Sequence, residues 1–178
     1  MVRVLIIDHY DSYTNNLLQL LPTRRKAESP DVPAWEPVII RYDQYKWYNQ
    51  HCLHIRYTNT NTTSREEFSK KILPQFDAII LSPGPGRPDH EADFGCNSQL
   101  IRNADVPILG ICLGHQGIGT ALGARIIHAP HIKHGQVSRI HHDGSGLFEG
   151  LPEGFEGVQY NSLVLDPDSE LTWSFRYI

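Results

Sequence analysis

The chain has 178 residues and a mass of 20.2 kDa, about one domain's worth at roughly 150 residues each. It is 40% apolar and 20% charged, and 16 Lys and Arg against 20 Asp and Glu leave a net charge of −4. This is ordinary globular composition; it excludes a generally basic nucleic-acid binder and needs no disulfide or metal to staple the fold. No apolar run approaches the ~18 residues of a membrane span, and Val4 to Ile7 is too short for a signal segment. Three cysteines, Cys52, Cys96 and Cys112, do not make a secreted disulfide scaffold. The expectation is a reducing, cytoplasmic setting with no membrane and no nucleic-acid partner.

Val2 to Ile7 is short, β-branched and almost uninterrupted, which predicts a strand buried on both faces of a parallel sheet. Asp11 or Ser12 is placed to cap a helix carrying Leu17, Leu18, Leu20 and Leu21, and Pro22 ends it. Residues 22–37 hold four of the twelve prolines and read as an irregular connection to a short strand at Val38 to Ile40. Tyr42 to Tyr57 is assigned as helix on weak periodicity, and the Asn59 to Ser64 stretch as a polar loop. Glu66 to Leu73 is a short helix stopped by Pro74.

Asp77 to Leu81 is a further buried strand. It runs into Ser82-Pro83-Gly84-Pro85-Gly86, which can be neither helix nor ladder. Ala92 to Asn103 reads as helix, Val106 to Ile111 as the most apolar strand, and His115 to Leu122 as a helix of small residues. From Ala124 the texture changes to short β-like runs at Ala124–His128, Gln136–His141, Val158–Tyr160, Leu163–Leu165 and Leu171–Phe175. Strands alternating with helices imply right-handed βαβ units. The fold class expected is α/β: an open, mostly parallel sheet with helices on both faces and β-hairpins added in the C-terminal third.

Gly110-Ile111-Cys112-Leu113-Gly114 is a Gly-x-nucleophile-x-Gly pattern directly after a buried strand, the setting of a nucleophile elbow. The glycines meet the demands of a sharp, crowded turn. The turn sets the sulfur at a helix N-terminus, where the dipole and free N–H groups favour thiolate. The Leu113 N–H is then placed to donate to an oxyanion. Gln116 lies one helical turn on and shares the face of Cys112. Its amide suits a carboxamide substrate, although a solvated helix glutamine is an equally good reading of the spacing alone. Loops at the carboxyl ends of parallel strands converge on one crevice, so the Ser82–Gly86 loop and Cys112 are expected to face each other.

His128, His131 and His134 recur every three residues, and His51 and His54 flank Cys52, but neither set has a defined second ligand pair. No metal site is assigned. Gly117-x-Gly119-x-x-x-Gly123 has the wrong spacing and place for a dinucleotide fingerprint, and close helix packing explains it better.

Ser82-Pro83-Gly84-Pro85-Gly86, then Gly110-Ile111-Cys112-Leu113-Gly114-His115-Gln116, then Tyr160-Asn161-Ser162-Leu163 resemble the three ordered signatures of class I glutamine amidotransferases. The opening Asp8-His9-Tyr10-Asp11-Ser12-Tyr13-Thr14 is similar to the branch serving chorismate-using synthases. Ala92-Asp93-Phe94-Gly95, His134-Gly135-Gln136-Val137-Ser138 and Gly146-Leu147-Phe148-Glu149-Gly150-Leu151-Pro152 resemble the aminodeoxychorismate (para-aminobenzoate) synthase type first and the anthranilate synthase glutaminase component next.

The resemblance implies that Cys112 attacks the side-chain amide of L-glutamine. It implies further that Leu113 and the Gly84–Gly86 loop hold the oxyanion, and that Gly84, Pro85, Gly86, Gln116, Ser162 and Leu163 bind glutamine. Ammonia would pass to a chorismate-using synthase domain or subunit, fused or separate, with no cofactor in this domain. The family completes its triad with a His-x-Glu, and none follows Cys112 here. The expectation is therefore a single amidotransferase domain over residues 1–178, incomplete at its C-terminal end, with weak glutaminase activity alone. An inactive remnant that only binds a synthase is the non-enzymatic alternative. Two further departures are Asn161, where many members carry His, and His9, where Asn is usual.

Overall fold

The structure is a computed structural model and describes residues 1–11, 13–22, 33–44 and 68–170. The chain divides into two compact units, Met1–Ala121 and Leu122–Ile178.

The first unit is built on four parallel strands: β1 (Val2–Asp8), β2 (Trp35–Arg41), β3 (Ala78–Leu81) and β4 (Ile108–Gly110), in the order β2-β1-β3-β4. Alternation along the strands explains why both faces are covered. Leu5 and Ile7 of β1 with Ile79 and Leu81 of β3 face one cluster, which also holds Phe68, Phe76, Phe94, Leu100, Ile101 and Leu113. Val4, Ile6 and Ile80 face the other, with Leu21, Leu17, Leu18 and Trp35. The first cluster is roofed by α2 (Glu91–Phe94), α3 (Asn97–Asn103) and α4 (Leu113–Ala121), the second by α1 (Thr14–Leu20). Helices on both faces of a parallel sheet is the architecture expected from the sequence.

Several boundaries differ from expectation. The helix expected over Ala92 to Asn103 is two helices, parted at Gly95 with φ 60. A Cβ at Gly95 would lie 2.9 Å from the Tyr42 ring, so a residue distant in sequence leaves no room for a side chain at the break. The Glu66 to Leu73 helix is, where described, a π turn at Phe68–Ile72 and a 3₁₀ turn at Leu73–Gln75. The cap expected for α1 is displaced: Tyr13 occupies the N-cap without a side-chain bond, and the Asp11 carboxylate instead accepts the Tyr13 N–H at 2.6 Å. Leu20 is 79% exposed rather than on the apolar stripe. Ser12 and most of the Tyr42 to Tyr57 helix lie outside the described residues, as do the Asn59 to Ser64 loop and the Leu171–Phe175 strand.

The second unit carries two antiparallel pairs. β5 (Ile126–His128) pairs with β8 (Leu163–Leu165), and β6 (Gln136–Ile140) pairs with β7 (Phe155–Gln159). β6 and β7 are joined through a 3₁₀ turn at Gly146–Phe148, and the His142 ring stacks on Phe148 with centroids 4.9 Å apart. Antiparallel pairing follows the change of texture after Ala124.

Candidate active site

β1 has β2 on one side and β3 on the other, so the chain reverses its direction of travel across the sheet there. In open α/β sheets ligands bind at such a switch point, outside the carboxyl ends of the strands. The residues leaving β1 are His9, Tyr10 and Asp11; those leaving β3 are Ser82 to Gly86. Cys112 follows β4 two residues after Gly110.

Cys112 has φ 52, a left-handed conformation shared by one other non-glycine among the described residues, Tyr10 at φ 60. Such a conformation costs a side-chain-bearing residue roughly 1–3 kcal/mol and persists where surrounding contacts over-determine it. Here they do. The Ile111 N–H donates to the Leu81 carbonyl at 3.0 Å, Gly114 N–H to Ile111 O at 3.0 Å, and Gln116 N–H to Cys112 O at 2.9 Å. A Cβ on Gly110 would stand 2.5 Å from the Gly114 carbonyl, and one on Gly114 would overlap the Leu81 carbonyl oxygen. Both glycines are thus explained by the crowding of the turn, and the turn presents Cys112 as an exposed residue.

The electrostatics run against one expectation. The sequence predicts that the helix N-terminus favours thiolate, yet the Cys112 thiol is held above the ordinary cysteine value. Although the residue as a whole is exposed, partial burial of the thiol is the largest cause; the Leu113 N–H pulls the other way, and the Asp11 carboxylate adds to the rise. A single N–H at a helix start does not offset the lost hydration. The elbow aims the sulfur, while its surroundings disfavour the thiolate.

The Pro-Gly loop reaches the elbow as expected. At Gly84 a Cβ would lie 2.5 Å from His9 Cβ and 2.8 Å from a Leu113 methyl. The loop therefore packs between the residue after β1 and the residue after the cysteine, and only glycine fits. Gly86 has φ 85, and a Cβ there would overlap the Asp93 side chain. Asp93 also accepts the Arg87 N–H at 2.9 Å, anchoring the loop's far end. Pro85 and Gly86 are exposed, so the loop's crest is open to solvent.

Gln116 is 8% exposed, which sets aside the solvated-glutamine reading. Gly117 packs so closely on the Phe94 ring that a Cβ would overlap it, the close helix packing inferred for the glycines of α4. Cys112, Leu113, Gly84 and Gln116 are thus gathered in the first unit. Ser162 and Leu163 belong to the second: the Ser162 carbonyl accepts the Ala129 N–H at 2.8 Å, and Leu163 pairs with His128. Among the described residues no group of three His, Cys, Asp or Glu is arranged to hold a metal, and no helix is long and apolar enough to cross a membrane.

Nothing in the sequence signals how His9 is used. It is 1% exposed and stacks on Phe94 and Tyr42, with ring centroids 5.0 and 5.5 Å away. Its Nδ1 lies 3.2 Å from Ser82 Oγ, and its Nε2 lies 2.9 Å from Asn97 Nδ2. Burial pushes its pKa down to about 4, against a smaller opposing pull from Asp8. Asn97 likewise carries no signal, because the partner that defines it, His9, lies 88 residues away.

Comparison with known proteins identifies the family. A family model, glutamine amidotransferase class-I, matches residues 5–176. The chain is 38% identical over 182 residues to an aminodeoxychorismate synthase of Streptomyces griseus, covering 97% of this chain and 20% of the relative. It is 40% identical over 173 residues to the chloroplastic aminodeoxychorismate synthase of Arabidopsis thaliana, covering 94% and 16%. The chain spans about a fifth or less of those relatives' length. Anthranilate synthase component 2 of Methanothermobacter thermautotrophicus is 37% identical over 169 residues, covering 94% of this chain and 74% of that one. In fold, a Thermoplasma acidophilum protein provisionally named as a GMP synthase component superposes with a TM-score of 0.63 at 23% identity, covering 93% of this chain and 67% of that one. With the motifs, the parallel sheet and the family match in agreement, the chain belongs to the class-I glutamine amidotransferases.

Proposed function

We propose that the chain releases ammonia from L-glutamine, with Cys112 as nucleophile, for the amination of chorismate by an aminodeoxychorismate-type synthase. The observation that carries this reading is the left-handed Cys112 at the end of β4, with the Gly84 loop packed against Leu113 beside it. In the reaction the sulfur adds to the glutamine δ-carbon and pushes the carbonyl π-electrons onto oxygen. The Leu113 N–H and the Gly84–Gly86 backbone receive that oxyanion. Collapse breaks the C–N bond, and the nitrogen leaves as ammonia carrying the proton that the thiol gave up, passed to it through water. Water then cleaves the γ-glutamyl thioester to glutamate and restores the thiol. Gln116 and Pro85 bind the amino acid in this reading; the family signature alone assigns Ser162 and Leu163 to the same role. No cofactor takes part, and no metal.

Thiol activation is the weak step. The Cys112 pKa is raised, and no His-x-Glu follows Cys112 in the 178 residues. Absence of a positioned acid/base costs about 10²–10⁴ in rate, so slow turnover by these residues alone is expected. Similarity to the Streptomyces and Arabidopsis proteins supports an aminodeoxychorismate-type partner, fused or separate. Similarity to anthranilate synthase component 2 keeps an anthranilate-forming partner as the second reading.

The test is covalent. Incubation with the glutamine analogue 6-diazo-5-oxo-L-norleucine should add one adduct at Cys112, read by mass spectrometry. L-Glutamine should protect against it, and Cys112→Ala should abolish it. Labelling that glutamine does not slow, or no labelling, overturns the reading.

A further inference from the structure

His9 stands at the switch point with every polar atom of its ring engaged. The Asn97 amide donates to Phe94 O at 2.8 Å, which fixes its nitrogen as a donor. His9 Nε2, 2.9 Å away, is therefore the acceptor. The ring proton then sits on Nδ1 and donates to Ser82 Oγ at 3.2 Å. That oxygen also accepts the His9 backbone N–H at 2.9 Å and donates its own proton to Pro83 O at 2.6 Å. Each donor in this chain of contacts has an acceptor. Ser82 is fully buried, so this one hydroxyl joins the end of β1 to the start of the Pro-Gly loop. The His9 Cβ also abuts Gly84, whose other neighbour is Leu113.

We propose that His9 is a positioning residue for the reaction. Through Nδ1–H to Ser82, and through its flank against Gly84, it fixes the Ser82–Gly86 loop against the elbow of Cys112. The inference rests on the amidotransferase reading for its functional meaning, and on these contacts for its geometry. His9 touches no reacting atom. It sets where the Gly84 and Gly86 backbone stands, and so how well the loop receives the oxygen of a glutamine-like substrate. Asn97, Phe94 and Tyr42 hold the ring, and Ser82 conveys its position.

Two substitutions separate this role from packing. Asn at position 9 places an amide N–H near the Nδ1 position and keeps the donor to Ser82. Gln at position 9 places its carbonyl near the Nε2 position and keeps only the acceptor for Asn97. Three readouts apply to each variant of the full chain: labelling by 6-diazo-5-oxo-L-norleucine, alkylation by iodoacetamide, and deuterium exchange of the peptide Ile79–His90. His9→Gln is expected to slow analogue labelling and speed exchange at the loop about tenfold, the factor a lost buried hydrogen bond gives. Iodoacetamide alkylation should not change. His9→Asn should keep all three near wild type.

The proposal is overturned if His9→Gln behaves as wild type. It is equally overturned if both variants lose analogue and iodoacetamide reactivity together, which a mere packing defect would produce. If the wild-type chain takes up no analogue, the amidotransferase reading fails by itself. The exchange comparison then decides alone: faster loop exchange in His9→Gln but not in His9→Asn upholds the anchor, and equal exchange in the two overturns it.

Discussion

The Leu81 carbonyl and the α-carbon of Gly114 are in contact with no room for a methyl group between them. Leu81 ends β3 and its oxygen also takes the Ile111 N–H at 3.0 Å, so one carbonyl sets both the entry to the elbow and its exit. Gly114→Ala must push the start of α4 off the sheet. Overpacking of this kind costs about 1–3 kcal/mol, or roughly 2–4 °C in Tm per kcal/mol for a chain of this size. Thermal melts should show Gly114→Ala destabilised by that amount, and analogue labelling of Cys112 should fall even at temperatures where the variant is folded. An unshifted melting curve would mean that the contact is not made.

The raised Cys112 thiol makes a pH prediction. Burial and the Asp11 carboxylate raise it, and the Leu113 N–H lowers it. The midpoint of iodoacetamide alkylation against pH is therefore expected above the ordinary cysteine range. Asp11→Asn removes one of the two raising causes and should move the midpoint to lower pH. The opposite movement would show that the Asp11 side chain stabilises thiolate by hydrogen bonding instead of opposing it by charge.

Strands β1 and β3 are legible in the sequence because a strand buried on both faces must be apolar throughout, and Val4–Ile7 and Ile79–Leu81 satisfy that locally. The elbow is legible for a similar reason, since crowding demands glycine at Gly110 and Gly114. The need for glycine at position 95 is not, because the group that excludes a side chain there is the Tyr42 ring. The thiol's direction is misread from sequence because the helix-dipole argument counts one favourable field and omits the water lost around the sulfur. His9 reads there only as a departure from a pattern. Its partners Ser82 and Asn97 lie 73 and 88 residues away, and nothing within a few residues of His9 marks it as a joint.

The buried imidazole has a stability consequence. Its pKa is about 4 in the folded chain against 6.5 for an exposed histidine, with desolvation the main cause. Above pH 6.5 the ring is neutral in both states and nothing is lost. As pH falls below that value the unfolded chain takes up a proton that the folded chain refuses, so stability falls until the folded pKa is reached. At 1.36 kcal/mol per unit the loss is about 3 kcal/mol. Denaturant titrations at pH 7 and pH 4 should show His9→Asn spared that part of the acid loss, since asparagine does not titrate. Parallel loss in the two proteins would place the acid sensitivity elsewhere.

Cys112 itself is the last point at which geometry and stability oppose each other. A non-glycine residue at φ 52 bears a left-handed penalty of roughly 1–2 kcal/mol, because its Cβ crowds the following carbonyl oxygen. Alanine keeps the Cβ and keeps the penalty. Glycine removes it, at the cost of about 0.4–1 kcal/mol of extra freedom in the unfolded chain. Cys112→Gly should therefore melt above Cys112→Ala, by an amount corresponding to less than about 1.5 kcal/mol, although glycine substitutions ordinarily destabilise. Both variants lack the sulfur, so any difference between them reports the backbone alone. If Cys112→Gly melts at or below Cys112→Ala, the turn does not strain its central residue, and the presentation of the thiol must be explained by something other than the left-handed elbow.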